Sequence, residues 1–457
     1  MKRFFLFIAL AAALALFVIA AGTASAASVK TETGGAALKL SMKEALSLAL
    51  AQNVSVVNAS EDVRRAAGES QSQSSALLPK IDLAGSAAGT SDNSAGTQNT
   101  DERTLGAQLS YTLYNGGKNR ALSEQGKLGV AQAGDYLYDT RESIVLDVWK
   151  AYCETLYRAS VVTAVKSALD YYERAVEEET KRVEVGVATN LDLSRMRQQR
   201  AGSQAEYISA KNDLDSARIA LCRLLQLAPE TRLELTDGLH DDLSLAGTPL
   251  PESISVREYH ARALERRGDY KKLAAQRKID EKEIVVAASA LKPSVSFSGG
   301  YGYDYKDTSD KILESKDEWS AKLSLSVPLF DGGKGAGDVT AARSKLTQSV
   351  NSLCDKEEAI LAEITDCRLS LASAAESAAA AVTEVSFAKE SLGYAEVGYK
   401  EGVNSQLDVI QARSDLTDAD KKLAGYLKEY RSALASLWRA GGELIEKTIG
   451  ATDGGNA

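Results

Sequence analysis

The chain has 457 residues, 44% of them apolar, and a formal charge of −9. That length accommodates two or more ordinary domains, and the acidic balance excludes a general nucleic-acid binder, whose footprint would be basic. Lys2, Arg3, an apolar run from Phe4 to Ala21 and the small-residue pattern Ala24-Ser25-Ala26 have the layout of a secretory signal peptide over residues 1–26. The mature chain is therefore expected to be exported, with no cysteine after the cleavage site to take an N-terminal lipid. Beyond the leader no apolar stretch approaches the roughly 20 residues that a membrane-spanning helix needs.

A helix is expected from Ser41 to about Leu78. Ile81 and Leu83 then open a strand, and Leu105, Ala107, Leu109, Tyr111 and Leu113 alternate with Thr104, Gln108, Ser110 and Thr112 in another. The polar run "GTSDNSAGTQNTDER" between them reads as a loop. No proline occurs between Pro79 and Pro229 or after Pro328, so two very long stretches are free to be helical. In the first, Ile144, Val148, Tyr152, Leu156 and Ala159 recur at helical spacing; a single helix from Lys118 to Glu184 would be roughly 100 Å long. The second runs from about Gly337 to Trp438.

Ahead of that second stretch the same order returns. Val295, Phe297, Tyr301, Tyr303 and Tyr305 form one row of a strand, and Trp319, Ala321, Leu323, Leu325, Val327 and Leu329 form one row of the next. The opposite row of the latter is Ser320, Lys322, Ser324, Ser326 and Pro328. "KDTSDKILESKDE" reads as their loop. Each apolar row covers about 10 residues, enough for a tilted strand to cross a bilayer, with Tyr303, Tyr305 and Trp319 gathered towards one end as interface anchors. Four strands cannot stand open in hydrocarbon, because edge amides and carbonyls would go unpaired. Closure with two copies gives eight strands and a filled interior; three copies give twelve and a water-filled lumen.

The chain thus repeats itself. "LYNGGK" begins at 113 and "LFDGGK" at 329; "GVATNLD" begins at 186 and "GVNSQLD" at 402, so both pairs are 216 positions apart. Gly116 and Gly117, like Gly332 and Gly333, fall where a strand must become a helix and glycine accepts the positive φ that such a turn requires. The two later motifs read as turns between antiparallel helices, capped by Thr189 or Asn190 in the first and Asn404 or Ser405 in the second, with Asp192 and Asp408 in first helical turns, where negative charge is favoured. The boundaries follow: 27–228 a first repeat with a β-hairpin at about 80–115 and a helical tip at 186–192; 229–253 a linker; 254–442 a second repeat with a hairpin at about 294–330 and a tip at 402–408; 443–457 a flexible tail.

Cys153 and Cys222 lie almost equidistant from Ala188 and should face each other across the first helical hairpin. They are either disulfide-bonded or two small buried residues at a tight crossing. Cys354 and Cys367 share one helix and are too far apart to pair within it. His240 and His260 have no neighbours at metal-ligand spacing, and "GGKGAG" lacks the Lys-Ser/Thr ending of a phosphate loop. No cofactor, metal or catalytic residue is expected, and the protein is not read as an enzyme.

The paired segments "ALLPKIDLAG" and "ALKPSVSFSG", the paired glycine turns, the linker "LLQLAPETRLELTDGL" and the two tip motifs, in this order and spacing, resemble the outer membrane efflux protein family, the TolC-like exit ducts of Gram-negative bacteria. The resemblance covers about residues 38–442. It implies a mainly α fold with a transmembrane β-barrel contribution: a homotrimer with a 12-stranded barrel in outer-membrane lipid and an α-helical tunnel in the periplasm. The implied partners are a periplasmic adaptor and an inner-membrane transporter, and the implied role is passive export in an efflux pump or a type I secretion system. By the same resemblance Gly186, Val187, Gly402 and Val403 lie at the adaptor-docking tip, Asp408 lines the pore gate, and Tyr399 and Asp192 form a latch between helical hairpins. Gln411 stands where the family has a second gate carboxylate, and Asn404 stands where it has an arginine, which implies a weaker electrostatic gate. The competing reading is a periplasmic coiled-coil scaffold without a pore.

Overall fold

A computed structural model describes residues 38–92, 98–239, 255–308 and 311–450. The proposed signal peptide and His240 lie outside the described residues. The chain opens with β1 (Leu38–Leu40), α1 (Met42–Gln52) and α2 (Val54–Ser75), then β2 (Lys80–Asp92) and β3 (Gln98–Asn115). Two helices follow, α3 (Lys118–Glu184) and α4 (Asn190–Leu224), then β4 (Leu233–Leu235). The second repeat supplies α5 (Val256–Arg266), α6 (Gly268–Ser289), β5 (Ser294–Thr308), β6 (Lys311–Ser326), α7 (Lys334–Lys400) and α8 (Gln406–Ala440), and α9 (Leu444–Ile449) ends the described chain. Both α3 and α7 contain 67 residues, and both α4 and α8 contain 35.

The single helix expected over residues 41–78 is two. Asn53 breaks it with an extended backbone (φ −64°, ψ 126°); its side chain accepts from Ser55 N at 2.9 Å and donates to Leu224 O at 3.1 Å. A carbonyl at the end of α4 thus selects the break. Its counterpart is Arg267, with almost the same dihedrals (φ −63°, ψ 125°). Buried Arg267 donates to Asp269 at 3.0 and 2.8 Å, to Glu363 at 2.7 Å and to Ala440 O at 3.1 Å, a set of acceptors dense enough to offset burying a charge. The next residue, Gly268, packs against α3: a Cβ there would lie 2.3 Å from Asp135 O and 3.0 Å from Asp139 N. Because those neighbours are backbone, Gly268→Ala is expected to cost about 1–3 kcal/mol through forced separation of α6 and α3, read as a lowered thermal midpoint of the purified protein.

The four long strands form one antiparallel sheet in the order β2-β3-β5-β6. They are 13, 18, 15 and 16 residues long, longer than their apolar rows, and run into the polar segments expected to be loops. Backbone pairing does not depend on side-chain polarity, so the hairpins continue past the apolar band, as in Thr104↔Asp304 and Asp304↔Lys316. Ile81, Leu83, Trp319, Leu323 and Leu325 are each at least two-thirds exposed. In the first repeat β3 passes into α3 through Gly116 (φ 68°) and Gly117 (φ 91°); in the second, Gly332 (φ 70°) and Gly333 (φ 89°) lead into α7.

Helix α3 packs on α2, α4, α6 and α8, and α7 packs on α6 and α8. Tyr152 sits at the centre of this packing, fully buried, donating to Leu40 O at 3.0 Å and Asp237 Oδ2 at 2.8 Å; Met42 N reaches the same oxygen at 2.7 Å. The linker therefore joins the core through β4, which pairs with β1. The expected flexible tail also begins in the fold, since Leu444 of α9 is fully buried. Cys153 and Cys222 are both buried, but no disulfide joins them; the Cys222 thiol points at Thr231 O, 3.9 Å away, which corrects the disulfide reading in favour of small buried side chains at a tight crossing. His260 faces the Glu357 carbonyl at 3.1 Å, and the described residues hold no cluster of metal-binding type.

Candidate functional site at the helical tips

Each long helix ends in the same hydrogen-bonded turn. Gly186 N donates to Val183 O (3.0 Å) and Val187 N to Arg182 O (2.8 Å); in the second repeat Gly402 N donates to Tyr399 O (3.2 Å) and Val403 N to Gly398 O (2.8 Å). This double bond around a left-handed residue satisfies carbonyls that the helix end would otherwise leave open, and it requires glycine at φ 79° and 76°. Val187 and Val403 are left 69% and 81% exposed, apolar side chains held in water at the extreme of the chain's two hairpins. Gly398 adds a close approach: a Cβ there would lie 2.4 Å from Asn404 Nδ2, so the missing side chain lets Asn404 fold back towards Tyr394 O, 3.4 Å away.

The returning helices are capped by Thr189 and Ser405. Thr189 Oγ1 accepts from Asp192 N at 3.2 Å and donates to its carboxylate at 2.6 Å. Asp408 Oδ2 accepts from both Ser405 N (2.8 Å) and Ser405 Oγ (2.7 Å), and those bonds hold the exposed Asp408 carboxyl below the ordinary carboxylate value. Asp408 is thus a first-turn cap and remains a charge facing solvent. Gln411, also exposed, donates to Asp415 Oδ1 at 2.8 Å, which brings an acidic side chain to the next turn along α8.

Tyr399 and Asp192 are not hydrogen-bonded to each other. The Tyr399 hydroxyl donates instead to Glu179, at 3.2 and 3.4 Å from its two oxygens, and the Arg182 guanidinium lies over the Tyr399 ring at 4.8 Å. Burial, then the neighbouring Glu179 charge, push the Tyr399 phenol up to about 12, so it is a proton donor throughout the neutral range. Glu179 belongs to α3 and Tyr399 to α7, so this bond ties the two helical hairpins of one protomer together. Two further ties lie along α8: Arg413 donates to Ser167 Oγ at 2.8 Å, and Lys421 pairs with Glu206. Glu179 is buried on the stripe Tyr172, Val176, Glu179; a carboxylate at an apolar helical position was the signal in the sequence that marks it.

The family model for outer membrane efflux proteins matches residues 45–226 and 260–443. The chain is 25% identical over 386 residues to the outer membrane protein TolC of Vibrio cholerae, covering 83% of this chain and 85% of that one. It is 23% identical over 350 residues to the toluene efflux pump outer membrane protein TtgC of Pseudomonas putida, covering 76% and 70%. Among solved structures, CusC superposes with a TM-score of 0.79 at 21% identity over 88% of this chain and 92% of its own. The CmeC outer membrane channel of Campylobacter jejuni gives 0.75 at 19%, over 90% and 87%.

Proposed function

The chain belongs to the outer membrane efflux protein family, and from that premise we propose that it is an outer-membrane exit duct through which an inner-membrane transporter, joined by a periplasmic adaptor, expels solutes. The observation that carries this reading is the sheet. Strands β2 and β6 are its two edges, and one face bears Ile81, Leu83, Leu323 and Leu325 uncovered. In hydrocarbon such a face is stable while such edges are not, so copies of the chain must close it. Three copies give twelve strands and room for water between them. A periplasmic scaffold has no use for an exposed apolar band of this kind.

In this assembly the valines beside Gly186 and Gly402 form the adaptor-docking surface, and three Asp408 carboxylates gather near the axis and favour cations. The Tyr399–Glu179 bond takes the place of the expected Tyr399–Asp192 latch and resists separation of the hairpins. Particles in detergent should show threefold order by electron microscopy and conduct ions in planar bilayers; single subunits or a non-conducting protein would end the proposal. Asp408→Asn, which keeps an acceptor for Ser405 while removing the charge, should lower the cation-to-anion permeability ratio and weaken block by trivalent cations.

A further inference from the structure

A cavity of about 700 Å³ lies where β3, β5 and β6 meet the ends of α3, α6 and α7. Four lysines line it: Lys118, Lys292, Lys334 and Lys345. Two of them are neutralised, Lys334 by Asp338 at 2.9 Å and Lys345 by the buried Asp280 at 3.1 Å. The other two have no acidic partner among the described residues; Lys292 Nζ is 3.4 Å from the Gly116 carbonyl, and Lys118 forms no ion pair. The remaining acid in the wall, Glu283, is engaged by Gln125 at 2.8 Å. In a protein of charge −9 this is a local excess of positive charge.

Strand register fixes the side on which the cavity opens. Asn115, Ser294 and Ser326 line it and sit opposite one another across β3, β5 and β6, while the adjoining row is Tyr114, Val295 and Leu325. Successive side chains on a strand point to opposite faces, so the cavity lies on the polar face, away from the apolar one. When the sheet closes with its apolar face towards lipid, the cavity faces the water inside.

We propose that this cavity is an anion subsite in the wall of the lumen, taking soluble solutes that carry phosphate groups or clustered carboxylates. It rests on the exit-duct reading for its place in the pore. Unpaired ammonium groups bind such groups through charge-assisted hydrogen bonds, strongly at low salt and weakly when screened. Three copies around one axis set this subsite at the base of the barrel, while the tips carry the carboxylates, so a solute meets charge of opposite sign at the two levels.

The test uses the full-length protein in detergent with inorganic pyrophosphate as the probe, measured by calorimetry at low and high ionic strength. Wild-type protein should bind it at low salt, and Lys118→Gln combined with Lys292→Gln should weaken binding about tenfold or more. Glu283→Gln, which removes an acid of the cavity wall without touching a lysine, should tighten binding, and supplies the decisive comparison if the double variant fails to assemble. No binding to wild type at low salt, or equal binding in all variants, overturns the subsite. Bilayer recordings of the same preparation separate the two claims: conduction without pyrophosphate binding removes the subsite and leaves the duct, whereas binding without conduction removes the duct.

Discussion

Arg439→Met should lower the stability of the protein by about 3–5 kcal/mol at pH 8 and by less at pH 5. Arg439 on α8 reaches across to α3, donating to Glu142 Oε2 at 3.0 Å and to Asp139. Glu142 is fully buried and its second oxygen has no hydrogen-bond partner. Burial pushes its carboxyl up from 4.5 to about 7, with Asp139 adding to the rise and Arg439, Arg267 and the Leu444 amide opposing it. An acid whose folded value lies above its unfolded one favours folding fully below the unfolded value, so the Glu142 contribution is complete below about pH 4.5 and is lost as the pH rises through about 7. Without Arg439 the two carboxyls lose the cation that bridges them, and the loss grows as the solution becomes alkaline. Thermal midpoints of the variant at pH 5 and pH 8 check this; an equal deficit at both would mean that Arg439 acts by packing alone. Adding Glu142→Gln to the variant should restore part of the loss at pH 8.

Leu323→Arg should prevent insertion into the outer membrane, while Ser324→Arg should not. Leu323 lies midway along the apolar row of β6, 67% exposed and opposite Phe297, and Ser324 lies opposite Ser296 on the other face. An arginine facing the middle of the hydrocarbon costs about 2–4 kcal/mol per subunit in a barrel, whereas one facing the water-filled interior costs little. Membrane fractionation followed by gel mobility with and without heating gives the answer. Normal assembly of both variants would remove the lipid contact, and with it the duct reading.

The architecture was written locally, and so it could be read from the sequence. Alternation in Trp319–Leu329 marks a strand whatever it packs against, the lack of proline after Pro328 permits a helix of 67 residues, and Gly186 and Gly402 announce helix ends because only glycine takes their φ at no cost. What escaped depends on partners distant in the chain. Asn53 breaks its helix because Leu224 O awaits it, 171 positions away, and Tyr399 finds Glu179 at a separation of 220. No spacing rule reaches so far. The resemblance supplied Asp192 as the latch partner, yet the Thr189 hydroxyl already occupies that carboxylate. The cysteine pair was placed on the right elements, but facing positions do not by themselves bring two sulfur atoms to bonding geometry.

Since α3 and α7 are equal in residue count and leave their strands at matching glycine angles, the two tips of a protomer end at the same level. A four-residue insertion in one helix alone would push its tip about 6 Å beyond the other. The length of this molecule is therefore a shared setting: lengthening or trimming one repeat alone would put its tip out of step with the other.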